Sequence, residues 1–173
     1  ASVAAHGTTV AGKPERASWG VALHRLGPAY AARGDDDRAI PNFDEAIKLK
    51  PADPRPFNNR GAIYLRKGEY DLAIEALDEA IKLDPSYGGA FANRAGIHLK
   101  KNEYDRAAQD YDEAIRLQPN LAAVWNGRCW TRAILGALQP ALEDCNKALQ
   151  LKPDDGATYD SRGLTYLKMG QPD

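Results

Sequence analysis

Apolar side chains return along this chain at helical spacing. Tyr70, Ala73, Ile74, Leu77, Ala80 and Ile81 recur at i, i+3, i+4 and i+7, which draws one apolar stripe down a helix. Glu69, Asp71, Glu75, Asp78, Glu79 and Lys82 fill most of the opposite face. A preceding stretch carries Phe57, Gly61, Ile63 and Tyr64 and stops at Gly68. The pattern predicts two antiparallel helices joined by a short turn. One such pair cannot bury its apolar face alone, whereas stacked pairs can.

The same pattern repeats. Pro51, Pro85, Pro119 and Pro153 stand 34 residues apart, as do Gly34, Gly68, Asn102, Gly136 and Gly170. Ala39, Ala73, Ala107 and Ala141 form a third ladder at this period, and Ala46, Ala80, Ala114 and Ala148 a fourth. Each has a mechanical reason. Proline lacks the backbone donor and drives the residue before it out of helical dihedrals, so these prolines end helices. Glycine past a helix supplies the left-handed cap, and Asn is the next best tolerated residue there. The alanines let a neighbouring helix approach closely. Pro28 and Pro41 break the scheme by falling inside the first two helices, where an interior proline costs ~3 kcal/mol. The expectation is a kinked or frayed first unit. Pro140 falls in a first helical turn, where proline is tolerated.

Composition narrows the function classes. The 173 residues are 43% hydrophobic and 27% charged, with a net charge of −1 and acids and bases interspersed along the chain. No basic stripe of the kind that neutralises phosphates is evident, which argues against nucleic acid. No apolar run approaches a membrane span, so membrane insertion is not expected. No nucleophile–base pair, phosphate-cradling loop, zinc spacing or carboxylate dyad emerges, so no catalytic residue, cofactor or metal is predicted.

These residues resemble the tetratricopeptide-repeat (TPR) consensus of an aromatic, Leu-Gly, Tyr, Ala, an aromatic or Leu, Ala and Pro. Leu26-Gly27, Tyr30, Ala39, Phe43, Ala46 and Pro51 fit it within 20–53. Phe57, Gly61, Tyr64, Ala73, Leu77, Ala80 and Pro85 do so within 54–87, and Phe91, Ala95, His98, Ala107, Tyr111, Ala114 and Pro119 within 88–121. Trp125, Cys129, Ala141, Cys145, Ala148 and Pro153 follow within 122–155, then Tyr159, Gly163 and Tyr166 in a half unit or capping helix, 156–173. Residues 1–19 form a leader outside the repeats. The resemblance implies an all-α, right-handed α-solenoid of antiparallel helix pairs, about 4.5 units long. Leu164, Tyr166 and Leu167 look like ordinary repeat positions, so the native chain is expected to continue past Asp173, ahead of a true cap or self-association through that end. The Asn-Arg-Gly and Asn-Arg-Ala triplets look like those of bacterial arrays. The Ala-rich leader and the absence of Met at position 1 lean toward an exported or periplasmic protein, narrowly over a cytoplasmic one.

In this family the first helix of each unit lines a concave groove that holds an extended peptide or a partner helix. Carried over position by position, the groove comprises Arg55, Asn58, Asn59 and Arg66, then Asn93, Leu99 and Lys100, then Asn126, Trp130 and Ile134, and Asp160 and Lys168. Asn offers both donor and acceptor to an extended backbone, and Trp130 suits an anchor. The polar members equally suit a solvated face. Arg55, Asn59 and Asn93 match part of the family's clamp for chaperone tails, but its third set falls on Ala123 and Gly127 and its last basic pair is missing, which argues against such tails. The implied function is a non-catalytic scaffold binding a peptide or helix of another protein. The alternatives are a self-associating array or an accessory domain of a larger protein.

One further ladder is Arg60, Arg94, Arg128 and Arg162, matched by Asp44, Asp78 and Asp112 in the preceding units. Inter-repeat pairs Arg60–Asp44, Arg94–Asp78 and Arg128–Asp112 are predicted, with a weaker contact from Arg162 to Asn146. Cys129 and Cys145 read first as buried thiols packing as small apolar groups, and as a disulfide if the compartment is oxidising. His6, His24 and His98 form no ligand cluster.

Overall fold

The computed structural model describes residues 26–170. The leader, residues 20–25 of the first unit, His6, His24 and residues 171–173 lie outside the described residues. Within them the chain is helical: α1 over 26–32, α2 (Asp36–Leu49), α3 (Pro54–Lys67), α4 (Tyr70–Leu83), α5 (Gly88–Lys100), α6 (Tyr104–Leu117), α7 (Ala122–Leu135), α8 (Leu138–Leu151) and α9 (Gly156–Lys168).

The punctuation acts as its chemistry requires. Lys50, Asp84, Gln118 and Lys152, each immediately before a ladder proline, leave their helices with φ near −140°. Proline's ring disfavours the helical conformation in the residue it follows. Gly34, Gly68, Gly136 and Gly170 have φ between 72° and 84°, and Asn102 stands at 59°. Pro41 does not fray its helix: α2 has 14 residues, as do α4, α6 and α8. Pro28 lies within the helical residues 26–32. Pro140 is the third residue of α8, where an amide hydrogen would have no intrahelical partner.

Consecutive helices pair in antiparallel fashion. His98 meets Glu103 across the α5–α6 turn, and Arg94 meets Asp110 further from it. The odd-numbered helices α3, α5, α7 and α9 also touch their neighbours within that layer, whereas the even-numbered helices α2, α4, α6 and α8 touch only odd ones. A stack close on one side and splayed on the other curves, so the odd helices form the inner, concave layer. Between the layers run Phe57, Ala73, Leu77, Ala80, Ala90 and Ile97, and next Ala95, Ala107, Tyr111, Ala114 and Val124. A fully buried Leu such as Leu77 contributes about 1.5–3 kcal/mol.

The closest approach within each pair places a small residue against a large one. A Cβ on Gly61 would lie 2.7 Å from Leu77 Cγ, and one on Gly27 2.7 Å from Phe43 Cε1. The equivalent residues of α7 and α8 are Cys129 and Cys145, and they form a disulfide with a Cα–Cα separation of 5.3 Å. This corrects the reading of two packed thiols. At the point where two helix backbones come closest, paired Cβ atoms fall within bonding range of a bridge.

Candidate functional site

Asn58, Asn59 and Asn93 form a chain across α3 and α5. Asn93 Nδ2 donates to Asn58 Oδ1 at 2.9 Å, and Asn58 Nδ2 to Asn59 Oδ1 at 3.3 Å. Asn58 is buried, which removes it from the surface expected to face a partner. Asn59 and Asn93 are half-buried. Asn126 occupies the position of Asn58 two units further along the inner layer, but the donor there is different. Ser161, two units on from Asn93, turns its hydroxyl to Ala157 O at 2.9 Å. Asn126 Oδ1 is consequently buried without a hydrogen-bond partner.

Leu65, Arg66, Leu99, Lys100 and Trp130 meet around a cavity of about 790 Å³ open on the inner layer. Gly96 makes room for it: the nearest atom to a Cβ there would be Leu65 Cδ2, at 3.7 Å. Trp130 stands at the equivalent place on α7 and rises beside that gap, 40% exposed. Arg66 is exposed and pairs with Asp36. Arg55 lies apart, bidentate to Asp53 at 2.9 and 2.7 Å, beside a smaller hollow of about 200 Å³ that Asn59 and Phe43 also line. Ile134, Asp160 and Lys168 line neither space.

The arginine ladder faces the outer helices. Arg60 Nη1 donates to Asp44 Oδ1 at 2.6 Å, Arg94 Nη1 to Asp78 Oδ1 at 2.5 Å and Arg128 Nη1 to Asp112 Oδ1 at 2.7 Å. Arg162 reaches Asn146 Oδ1 only at 3.4 Å. Each guanidinium also lies over an aromatic ring three residues earlier, Phe57, Phe91, Trp125 and Tyr159, at 4.9–5.6 Å, a cation–π geometry.

Sequence reasoning missed a second row of carboxylates. Asp110 and Asp144 are buried on the helix following each arginine and take its other edge: Arg94 Nε and Nη2 at 2.8 and 2.7 Å, Arg128 Nε and Nη2 at 2.8 and 2.6 Å. These hydrogen bonds, Asp110 first, hold Arg94 above its ordinary pKa against the effect of burial. Ala76 stands at the equivalent place beside Arg60, and Arg60 Nε is buried unpartnered. Arg132 joins the cluster, to Asp144 at 2.9 Å. The available signal was Arg132 standing on the ladder of Tyr30, Tyr64 and His98.

No described helix is long and apolar enough to cross a membrane. Among the described residues no group of His, Cys, Asp and Glu is placed to hold a metal ion.

The chain matches tetratricopeptide-repeat models at residues 54–87 and 89–121, and a TPR repeat model at 27–68. No curated protein matches it. Solved structures share its fold. A MamA protein superposes with a TM-score of 0.75 at 23% identity, over 89% of this chain and 84% of that one. Pseudomonas aeruginosa pilF gives 0.80 at 20% identity, over 90% and 71%. The first TPR of Spaghetti (RPAP3), bound to the HSP90 peptide SRMEEVD, gives 0.66 at 21% identity, over 68% and 94%. The repeat ladder, the two-layer stack and the family models agree: this chain belongs to the tetratricopeptide-repeat family, an all-α solenoid of the kind that supports protein–protein interaction.

Proposed function

We propose that the protein is a non-catalytic scaffold that binds an extended peptide or a helix of a partner along its concave layer. The observation that carries this reading is the inner-layer cavity, about 790 Å³ with half-exposed Trp130 on its wall. A cavity of that size accepts a large side chain, and a partly exposed Trp beside a gap is the arrangement that anchors partners. Asn59 and Asn93 lie on the same layer, where amides can pair with a strand-like backbone. The peptide complex of the RPAP3 repeat supports the mode by analogy of fold, an analogy that leaves the partner open.

The test is affinity capture with wild type beside the triple variant Asn59→Ala, Asn93→Ala, Trp130→Ala, both checked for helical content by circular dichroism. A partner held by wild type and lost by the folded variant supports the groove. Equal capture moves the site elsewhere on the molecule.

A second reading is self-association through α9, where Leu167 is 68% exposed and Tyr159, two turns earlier, is exposed as well. It predicts a concentration-dependent increase in mass by light scattering that Leu167→Lys abolishes.

A further inference from the structure

The near-neutral net charge conceals a separation by layer. The inner helices α3, α5, α7 and α9 carry ten Arg and Lys and one acid, Asp160. The outer helices α2, α4, α6 and α8 carry fourteen Asp and Glu against six Arg and Lys. The expectation of interspersed charge holds along the chain but not across it.

Two structural causes account for part of this. Arg60, Arg94, Arg128, Arg132 and Arg162 turn toward the outer helices, where all but Arg162 meet carboxylates. Cations in the last turn of a helix also complement its dipole, which covers Arg66, Lys67, Lys100 and Lys168. The dipole would equally favour acids in the first turn, and α3, α5, α7 and α9 have none there. Only the capping residues Asp53 of α3 and Asp155 of α9 place a carboxylate at the start of an inner helix.

The basic surplus collects at the cavity. Arg66, Lys67 and Lys100 rim it, and Leu65, Leu99 and Trp130 form its apolar walls. Arg66 shares Asp36, and Lys67 stands 3.7 Å from both Asp37 and Glu69. Lys100 is exposed and makes no ion pair among the described residues. We propose that this site takes an acidic peptide segment built around one bulky apolar side chain. The side chain enters between Leu65, Leu99 and Trp130, and flanking carboxylates meet Lys100 and Arg66. The proposal rests on the groove reading above and adds the partner's chemistry. A peptide fits better than a nucleic acid strand because the cations gather round a single apolar opening, whereas a strand needs them spaced along a track with stacking partners.

The test is selection of random phage-displayed dodecapeptides on the wild-type protein, followed by anisotropy titration of labelled synthetic copies. The expected winners carry an aromatic or Leu flanked by Asp and Glu. Trp130→Ala should weaken them roughly thirtyfold, the loss of an anchoring aromatic. Gly96→Leu, which fills the cavity without removing a contact, should do the same and covers the case in which Trp130→Ala folds poorly. Lys100→Glu should weaken them about tenfold at ~50 mM salt and less at ~300 mM, as screening requires. Neutral or basic winners that Lys100→Glu leaves unchanged, but Trp130→Ala or Asn93→Ala releases, would overturn the acidic partner and leave the groove standing. Winners indifferent to every inner-layer substitution would overturn both. Tighter binding of single-stranded oligouridylate than of any selected peptide would also overturn the proposal.

Discussion

Arg128 and Asp144 form a two-point pair between α7 and α8, with Nε and Nη2 at 2.8 and 2.6 Å from the two carboxylate oxygens. Asp144 is buried, and Arg132 reaches the same carboxylate. Removing one partner of a buried pair leaves the other charge uncompensated. Asp144→Ala should therefore lower unfolding stability by about 3 kcal/mol or more in urea titration. Asp78→Ala removes a half-exposed carboxylate and leaves Arg94 its pair with Asp110, so it should cost no more than ~1 kcal/mol. Equal losses from the two would contradict the distinction between the buried and the exposed row of carboxylates.

Two glycines of the inner layer should respond oppositely to alanine. A Cβ on Gly61 would meet Leu77 Cγ at 2.7 Å and the Ala73 carbonyl at 3.2 Å, and backbone cannot easily give way. Gly61→Ala should destabilise by about 1–3 kcal/mol. Gly96 sits within α5 with its nearest neighbour at 3.7 Å. There Ala removes the entropy cost of glycine in a helix, and stability should rise by ~0.5–1 kcal/mol. Thermal melts of the two variants beside wild type decide the sign of each.

Cys129 and Cys145 close a loop of 16 residues between α7 and α8. A cross-link of that span stabilises by about 3 kcal/mol, so reduction should lower Tm by roughly 6–12 °C. Protein unfolded without reductant should show no titratable thiol. The double variant Cys129→Gly, Cys145→Leu rebuilds the Gly61–Leu77 contact at this place. It should melt above the reduced protein, because it restores the packing without the bond.

Burial pushes the Tyr111 phenol up to about 12 from 10.0. The unfolded chain ionises first, so the stability linked to this group is fully present below pH 10 and is lost as pH rises toward 12. Tyr111→Phe should flatten the alkaline limb of a stability–pH profile over that window. Burial also raises Tyr87, so ultraviolet titration of the native protein should show late-ionising tyrosines, and the component lost from the Phe variant identifies Tyr111.

The sequence by itself determined the helices, their period and their ends. Pro51, Pro85, Pro119 and Pro153 act on the residue directly before them, and Gly34, Gly68 and Gly136 on their own dihedrals. Such effects are local, so a 34-residue ladder reports them without reference to anything distant. The tertiary structure decided what crosses between helices. It joined Cys129 to Cys145, buried Asn58 beneath the groove it was expected to line, and gave Arg94 and Arg128 second carboxylates in Asp110 and Asp144. It also sorted a near-neutral chain into a basic inner and an acidic outer layer. Periodicity shows which positions are equivalent from unit to unit. How far each side chain lies from the axis of the stack, and which helix it meets there, depends on how the layers curve. That curvature arises only when the pairs pack together.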